Sequence, residues 1–143
     1  MNTESRIVIR APRQTIFDTT SDLSRWPSIL PHYRSIKYLE RGNDRHVVKM
    51  AAHRDGIPVS WVSEQIIDRD ALEIHFHHLR AFTKGMDVVW SFQETPDGTL
   101  VRIIHDLKFR VPSLAPLAER IIGDFFIENI ANKTLRAFKA HFE

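Results

Sequence analysis

Charged and β-branched side chains alternate from Arg6 through Ile7, Val8, Ile9 and Arg10. This is the period of a strand with one buried face, and Ala11-Pro12 closes it. Pro12 is suited to open a helix. Ile16, Phe17 and Thr20 then mark a short one to about Ser21, and Asp22 or Ser24 can cap a second across Leu23–Leu30, broken by Pro27 and ended by Pro31. From Tyr33 onward the period changes to that of strands: Ile36–Glu40, His46–His53, Val59–Ile67, Leu72–His78, Met86–Gln93 and Thr99–Phe109. The turns between them are short. Such connections join antiparallel neighbours, because a parallel crossover needs about a dozen residues. After the last strand the apolar positions Leu117, Ile121, Ile122, Phe125, Phe126, Ile130, Leu135, Phe138 and Phe142 recur at helical steps. A helix over Leu117–Phe142 would run about 39 Å, enough to cross a sheet.

Alternation also assigns faces. In the last strand Val101, Ile103, His105, Leu107 and Phe109 point one way, and Arg102, Ile104, Asp106 and Lys108 the other. In the strand before it Met86, Val88, Trp90 and Phe92 share a side. Leu72, Ile74 and Phe76 make His78 the inward histidine of its strand and turn His75 and His77 toward solvent. A sheet facing a single helix has more inner area than that helix can cover, so an apolar internal pocket for a flat or greasy ligand is expected. Phe125 and Asn129 are the helix positions expected over it. The aromatic, proline-rich stretch Trp26–Tyr33 reads as a rigid flap, and exposed aromatics there would mark an interaction surface.

Composition narrows the function classes. The 143 residues are 43% hydrophobic and 27% charged, which fits one globular domain spanning 1–143. Lys and Arg number 20 against 18 Asp and Glu, interspersed rather than clustered, so no nucleic-acid footprint is expected. There is no cysteine, which removes disulfides, thiolate metal sites and Cys nucleophiles. The start MNTESRIVIR carries no secretory pattern and no apolar run is long enough to span a bilayer, so a cytoplasmic protein without integral membrane association is expected. Dinucleotide loops, P-loops, His-Glu-x-x-His and EF-hand spacings are absent, and no Gly-x-Ser-x-Gly elbow surrounds Ser63. His75, His77 and His78 lack the further ligands a zinc site needs, and no metal is expected.

The order strand, two short helices, six strands, long helix resembles the α+β helix-grip fold of the START-like (SRPBCC, Bet v 1-like) superfamily. In that fold a curved antiparallel sheet of about seven strands wraps a long C-terminal helix. The stretches Ile9-Arg10-Ala11-Pro12, Ile16-Phe17-Asp18, Asp22-Leu23-Ser24-Arg25-Trp26-Pro27, Trp61-Val62-Ser63-Glu64-Gln65, Met86-Asp87-Val88-Val89-Trp90 and His105-Asp106-Leu107 are similar to the polyketide cyclase/dehydrase (aromatase/cyclase) branch. That resemblance implies a cavity that binds an aromatic or poly-β-ketone chain and promotes aldol cyclisation and dehydration without a cofactor. It places Trp26, Tyr33, Trp61, Ser63, Met86 and Trp90 at pocket positions, with Val88 and Ile103 beside them. Where the branch carries pocket arginines this chain has Gln65 and either His77 or His78, and where a glutamine is usual it has His105. Losing such donors removes about 2.7–4 kcal/mol of oxyanion stabilisation each. His105, with Tyr33, is then the candidate catalytic group, expected to titrate near pH 6.5 and to move protons. The motif Trp26-Pro27-Ser28-Ile29-Leu30-Pro31 is also similar to the Coq10/RatA-like branch, which implies a non-catalytic carrier of lipid or prenyl quinone. Oligomeric state is not legible.

Overall fold

The computed structural model describes residues 2–80, 83–107, 116–117, 120, 123 and 129–143. Its elements are β1 (Asn2–Ile9), α1 (Arg13–Ser21), a 3₁₀ turn (Leu23–Arg25), α2 (Trp26–Ile29), β2 (Tyr33–Arg41), β3 (Arg45–Arg54), β4 (Ile57–Asp68), β5 (Glu73–His78), β6 (Asp87–Thr95), β7 (Gly98–Asp106) and α3 (Asn132–Phe142). The strands form one antiparallel sheet in the order β1-β7-β6-β5-β4-β3-β2. β2 to β7 meander, as their short turns dictate. β1 joins the far edge and pairs with β7 from Asn2↔Asp106 to Ile9↔Thr99. The chain must therefore travel from one edge of the sheet to the other between β1 and β2. The short helices carry it, α1 packing on β6 and α2 on β2.

Several boundaries move from those the pattern predicts. β1 starts at Asn2 rather than Arg6 because the β7 ladder holds its polar residues, burying Ser5. β5 starts at Glu73 because Leu72 sits at φ 52°, outside the extended region. Pro27 does not break the second helix; it lies in the first turn of α2, where a missing N–H leaves no hydrogen bond unmade. Asp22 caps the 3₁₀ turn by accepting from Ser24 N–H at 3.2 Å. Gly98 is a position of close approach: a Cβ there would lie 2.4 Å from the Ile9 carbonyl oxygen, with φ at 141°.

The Trp26–Tyr33 segment is not an exposed flap. Trp26 is 2% exposed and Leu30 fully buried. The Trp26 ring meets Tyr33, Phe76, Trp90 and Phe138 at centroid distances of 5.2–6.3 Å. Its Nε1–H donates to the Thr20 carbonyl at 2.9 Å, so the indole enters the core without an unmet donor. This placement removes the interaction surface that exposed aromatics in this segment would have formed.

α3 closes the inner face. Leu135 and Phe138 are buried, while Lys139 Nζ donates to the Val8 carbonyl at 2.8 Å and Glu143 accepts from Arg10 N–H at 3.1 Å. These contacts fasten the C-terminal end of α3 to edge strand β1. A π-helical turn at 129–131 leads into α3. Most of the earlier part of the expected helix, Phe125 included, lies outside the described residues. Among the described residues no helix is long and apolar enough to cross a membrane.

Candidate functional site

Strand parity sends one side chain in two into the space beneath α3. On β7 these are Val101, Ile103 and His105; on β6, Val88, Trp90 and Phe92; on β5, Ile74, Phe76 and His78, all buried. Register then sets the neighbours. His105 stands opposite Val88, Val88 opposite Phe76, and Trp90 opposite Ile103. The aromatic and aliphatic rows that result do not close completely against the helix. They leave a cavity of about 50 Å³.

Trp26, Tyr33, Trp61, His78, Val88, Trp90, Ile103 and His105 all stand on its wall, with Met50, Phe76, Ile130, Ala131 and Thr134. The tryptophans are the only three in the chain. No Asp, Glu, Lys or Arg occurs among the described lining residues. Besides the three indole N–H groups, of which that of Trp26 is committed to the Thr20 carbonyl, the polar side chains on the described wall are one phenol, one aliphatic hydroxyl and two imidazoles.

Each polar group has a defined setting. The Thr134 hydroxyl donates to the Ile130 carbonyl at 2.7 Å and lies 2.9 Å from His32 Nε2. This knot ties the start of β2 to the first turn of α3. His78 Nδ1 lies 2.9 Å from Thr83 Oγ1, and the ring lies 13° from parallel to Trp61. Burial pushes the His105 imidazole down to about 4. Burial, reinforced by repulsion from His105 and His77, takes His78 to about 3. Burial also lowers His32 to about 4 and drives the Tyr33 phenol well above its ordinary range. All four are neutral at pH 7. The expected titration of His105 near 6.5 is thus displaced into acid, because an imidazolium here would be stripped of water with no carboxylate on the described wall.

Five candidates lie elsewhere. Of the two alternatives on β5, His77 is on the outer face, its side chain 48% exposed and its Nδ1 2.6 Å from Asp87. Its position follows from parity with His78. Gln65 is wholly buried, but its Nε2 donates to the Ser21 carbonyl at 3.1 Å and pins the end of α1 to β4. Ser63 is buried on the inner face, opposite His78 in the strand register and two residues from Trp61, but is not among the lining residues. Met86 is buried, and its backbone closes the β5–β6 turn through His78 N–H to Met86 O at 2.9 Å. Asn129 is half-buried in the π turn and does not reach the wall. Met50 and Phe76 were findable by parity with Ala52 and His78. Thr134 lies one turn from both Ile130 and Phe138, a spacing that a search restricted to apolar residues passes over.

Residues 9–139 match the family of polyketide cyclases/dehydrases and lipid transport proteins. The chain belongs to this family. A curated relative from Streptomyces halstedii, whose name assigns it to the polyketide cyclases, is 38% identical over 106 residues, 72% of this chain and 97% of the relative. Among solved structures, the Zhui aromatase/cyclase from Streptomyces sp. R1128 superposes with a TM-score of 0.82 at 17% identity, covering 99% of this chain and 92% of that one. A START superfamily protein from Mycobacterium smegmatis gives 0.76 at 16% identity, covering 99% and 96%. At those identities the two structures speak to fold, and they show the helix-grip architecture. In this family member the cavity between sheet and helix is walled by aromatic rings and neutral hydrogen-bonding groups among its described residues.

Proposed function

We propose that this chain binds a neutral aromatic or poly-β-ketone molecule between α3 and the sheet and promotes its aldol cyclisation and dehydration. The observation that carries the proposal is the wall itself: three tryptophans with Tyr33, Thr134, His78 and His105, and no ionised side chain among its described residues. Flat rings gain by stacking on such a surface. Carbonyl oxygens gain from the phenol and imidazole donors, the Thr134 proton being committed to the Ile130 carbonyl. A buried carboxylate guest would have to bring its charge into a site with no fixed cation, at a cost of several kcal/mol.

With conjugate-acid pKa values near 3 and 4, the imidazoles work as neutral polarising donors more readily than as strong bases. A neutral histidine can stabilise a developing enolate oxygen in this way. The empty volume of about 50 Å³ has room for a few water molecules, at ~10–15 Å³ each. Ligand pockets usually run to about 300 Å³ or more. Binding on this proposal parts the first turn of α3 from the sheet, at the Thr134 knot.

The test uses the tryptophans. Titrating a polycyclic aromatic ketone is expected to quench their fluorescence saturably, and H105A is expected to abolish turnover of a poly-ketone mimic while leaving circular dichroism unchanged. Undiminished turnover by H105A, or no saturable quenching, would refute it. The alternative of a lipid or quinone carrier is separated by native mass spectrometry of the purified protein: a co-purifying prenyl quinone with no turnover decides for carriage.

A further inference from the structure

Thr83 is not on the cavity wall, yet its hydroxyl touches a group that is. The β5–β6 turn folds back on itself through Gly85 N–H to His78 O and Met86 N–H to Thr83 O, both at 2.9 Å. Thr83 is wholly buried by this turn, and its Oγ1 is 2.9 Å from His78 Nδ1. Among the described residues that imidazole is the hydroxyl's one hydrogen-bonding partner. The direction of the bond follows. If Nδ1 carried the hydrogen and donated, the threonine proton would be buried with no acceptor and would bear its full desolvation cost. If the hydroxyl donates, only oxygen lone pairs go unused, which costs little. The asymmetry favours donation by Thr83, roughly tenfold or more.

We infer that Thr83 is a positioning residue that fixes His78 as the Nε2–H tautomer, making the imidazole a hydrogen-bond donor to a carbonyl or enolate oxygen of the ligand. The near-parallel Trp61 ring, 6.2 Å away between centroids, restrains the imidazole against turning over. The other tautomer would offer a lone pair at Nε2 and would repel a carbonyl. A residue outside the cavity therefore sets which ligand atom the cavity accepts beside His78. Only the ligand half of this inference rests on the proposed function; the tautomer belongs to the ligand-free protein.

The experiment measures the two halves separately. Long-range ¹H–¹⁵N correlation spectra of ¹⁵N-histidine-labelled protein at pH 7, with His78 assigned by its absence in H78Q, are expected to show the Nε2–H pattern. T83V is expected to shift His78 toward a tautomer mixture and T83S to restore it. A wild-type His78 protonated on Nδ1, or a tautomer unchanged in both T83V and T83A, overturns the inference. Fluorescence titration then compares 2-acetylnaphthalene with 2-ethylnaphthalene, which lacks the carbonyl. T83V is expected to weaken the ketone roughly tenfold and leave the hydrocarbon alone, with T83S rescuing; equal effects on both overturn the donor role. If neither naphthalene binds while the tautomer is as stated, the cavity proposal fails and the Thr83 assignment stands.

Discussion

Burial of two neutral histidines makes the stability of this protein depend on pH in a calculable way. His78 and His105 are 3% and 4% exposed and titrate near 3 and 4 in the folded chain, against about 6.5 in an unfolded one. Between those values the unfolded chain takes up protons that the folded chain refuses. The stability each contributes is therefore complete above pH 6.5 and is lost as pH falls. The loss is about 1.4 kcal/mol per pH unit for each histidine, or about 2 kcal/mol each at pH 5. Together they amount to about 4 kcal/mol, a large part of the 5–15 kcal/mol typical of a domain. Urea denaturation followed by tryptophan fluorescence between pH 7.5 and 5 measures this directly. H105Q is expected to remove roughly a third to a half of the pH slope, because its amide cannot titrate. A double change with H78N is expected to leave only the part carried by half-buried His32, which is also lowered to about 4. A urea midpoint that stays constant from pH 7.5 to 5, or a slope unaltered by H105Q, would refute the argument that these imidazoles are held neutral by desolvation.

Other outcomes follow from the packing. W26A removes the ring shared by Tyr33, Phe76, Trp90 and Phe138 and is expected to destabilise by about 3–5 kcal/mol in thermal or urea unfolding. T134V breaks the contact to His32 and the bond to the Ile130 carbonyl. It is expected to cost about 1–2 kcal/mol and to speed amide exchange in the first turn of α3 while sparing β6 and β7. G98A drives a methyl toward the Ile9 carbonyl and should lower the melting temperature more than G56A, whose added Cβ meets nothing within 4 Å, although both glycines have positive φ. Turnover of a neutral ketone is expected to show no ionisation between pH 5.5 and 8 attributable to His78 or His105, read from the pH profile of kcat.

Much of the fold was legible because period-2 and period-3.6 patterns are local consequences of a half-buried backbone. The six meander strands, the two short helices and the inward parity of His78 and His105 follow from residues a few positions apart. Element ends were less accessible. The polar Asn2–Ser5 stretch is a strand only because β7 pairs with it, and the φ of Leu72 that delays β5 belongs to a turn. The site divides on the same line. Residues brought to the wall by alternation could be named from the chain. Thr134 and Thr83 could not, since each gains its place from a partner across space or across a turn.

Residue types and their spacing determined on their own that this chain makes an antiparallel sheet with a helix over an aromatic inner face, because the hydrophobic effect acts on every side chain by its position in the repeat. Tertiary packing alone decided that Trp26 fills the core, that Gln65 bonds the end of α1, and that His78 and His105 stay uncharged. Those outcomes depend on how much water is excluded and on which donors meet which acceptors, and both are properties of distant segments brought together.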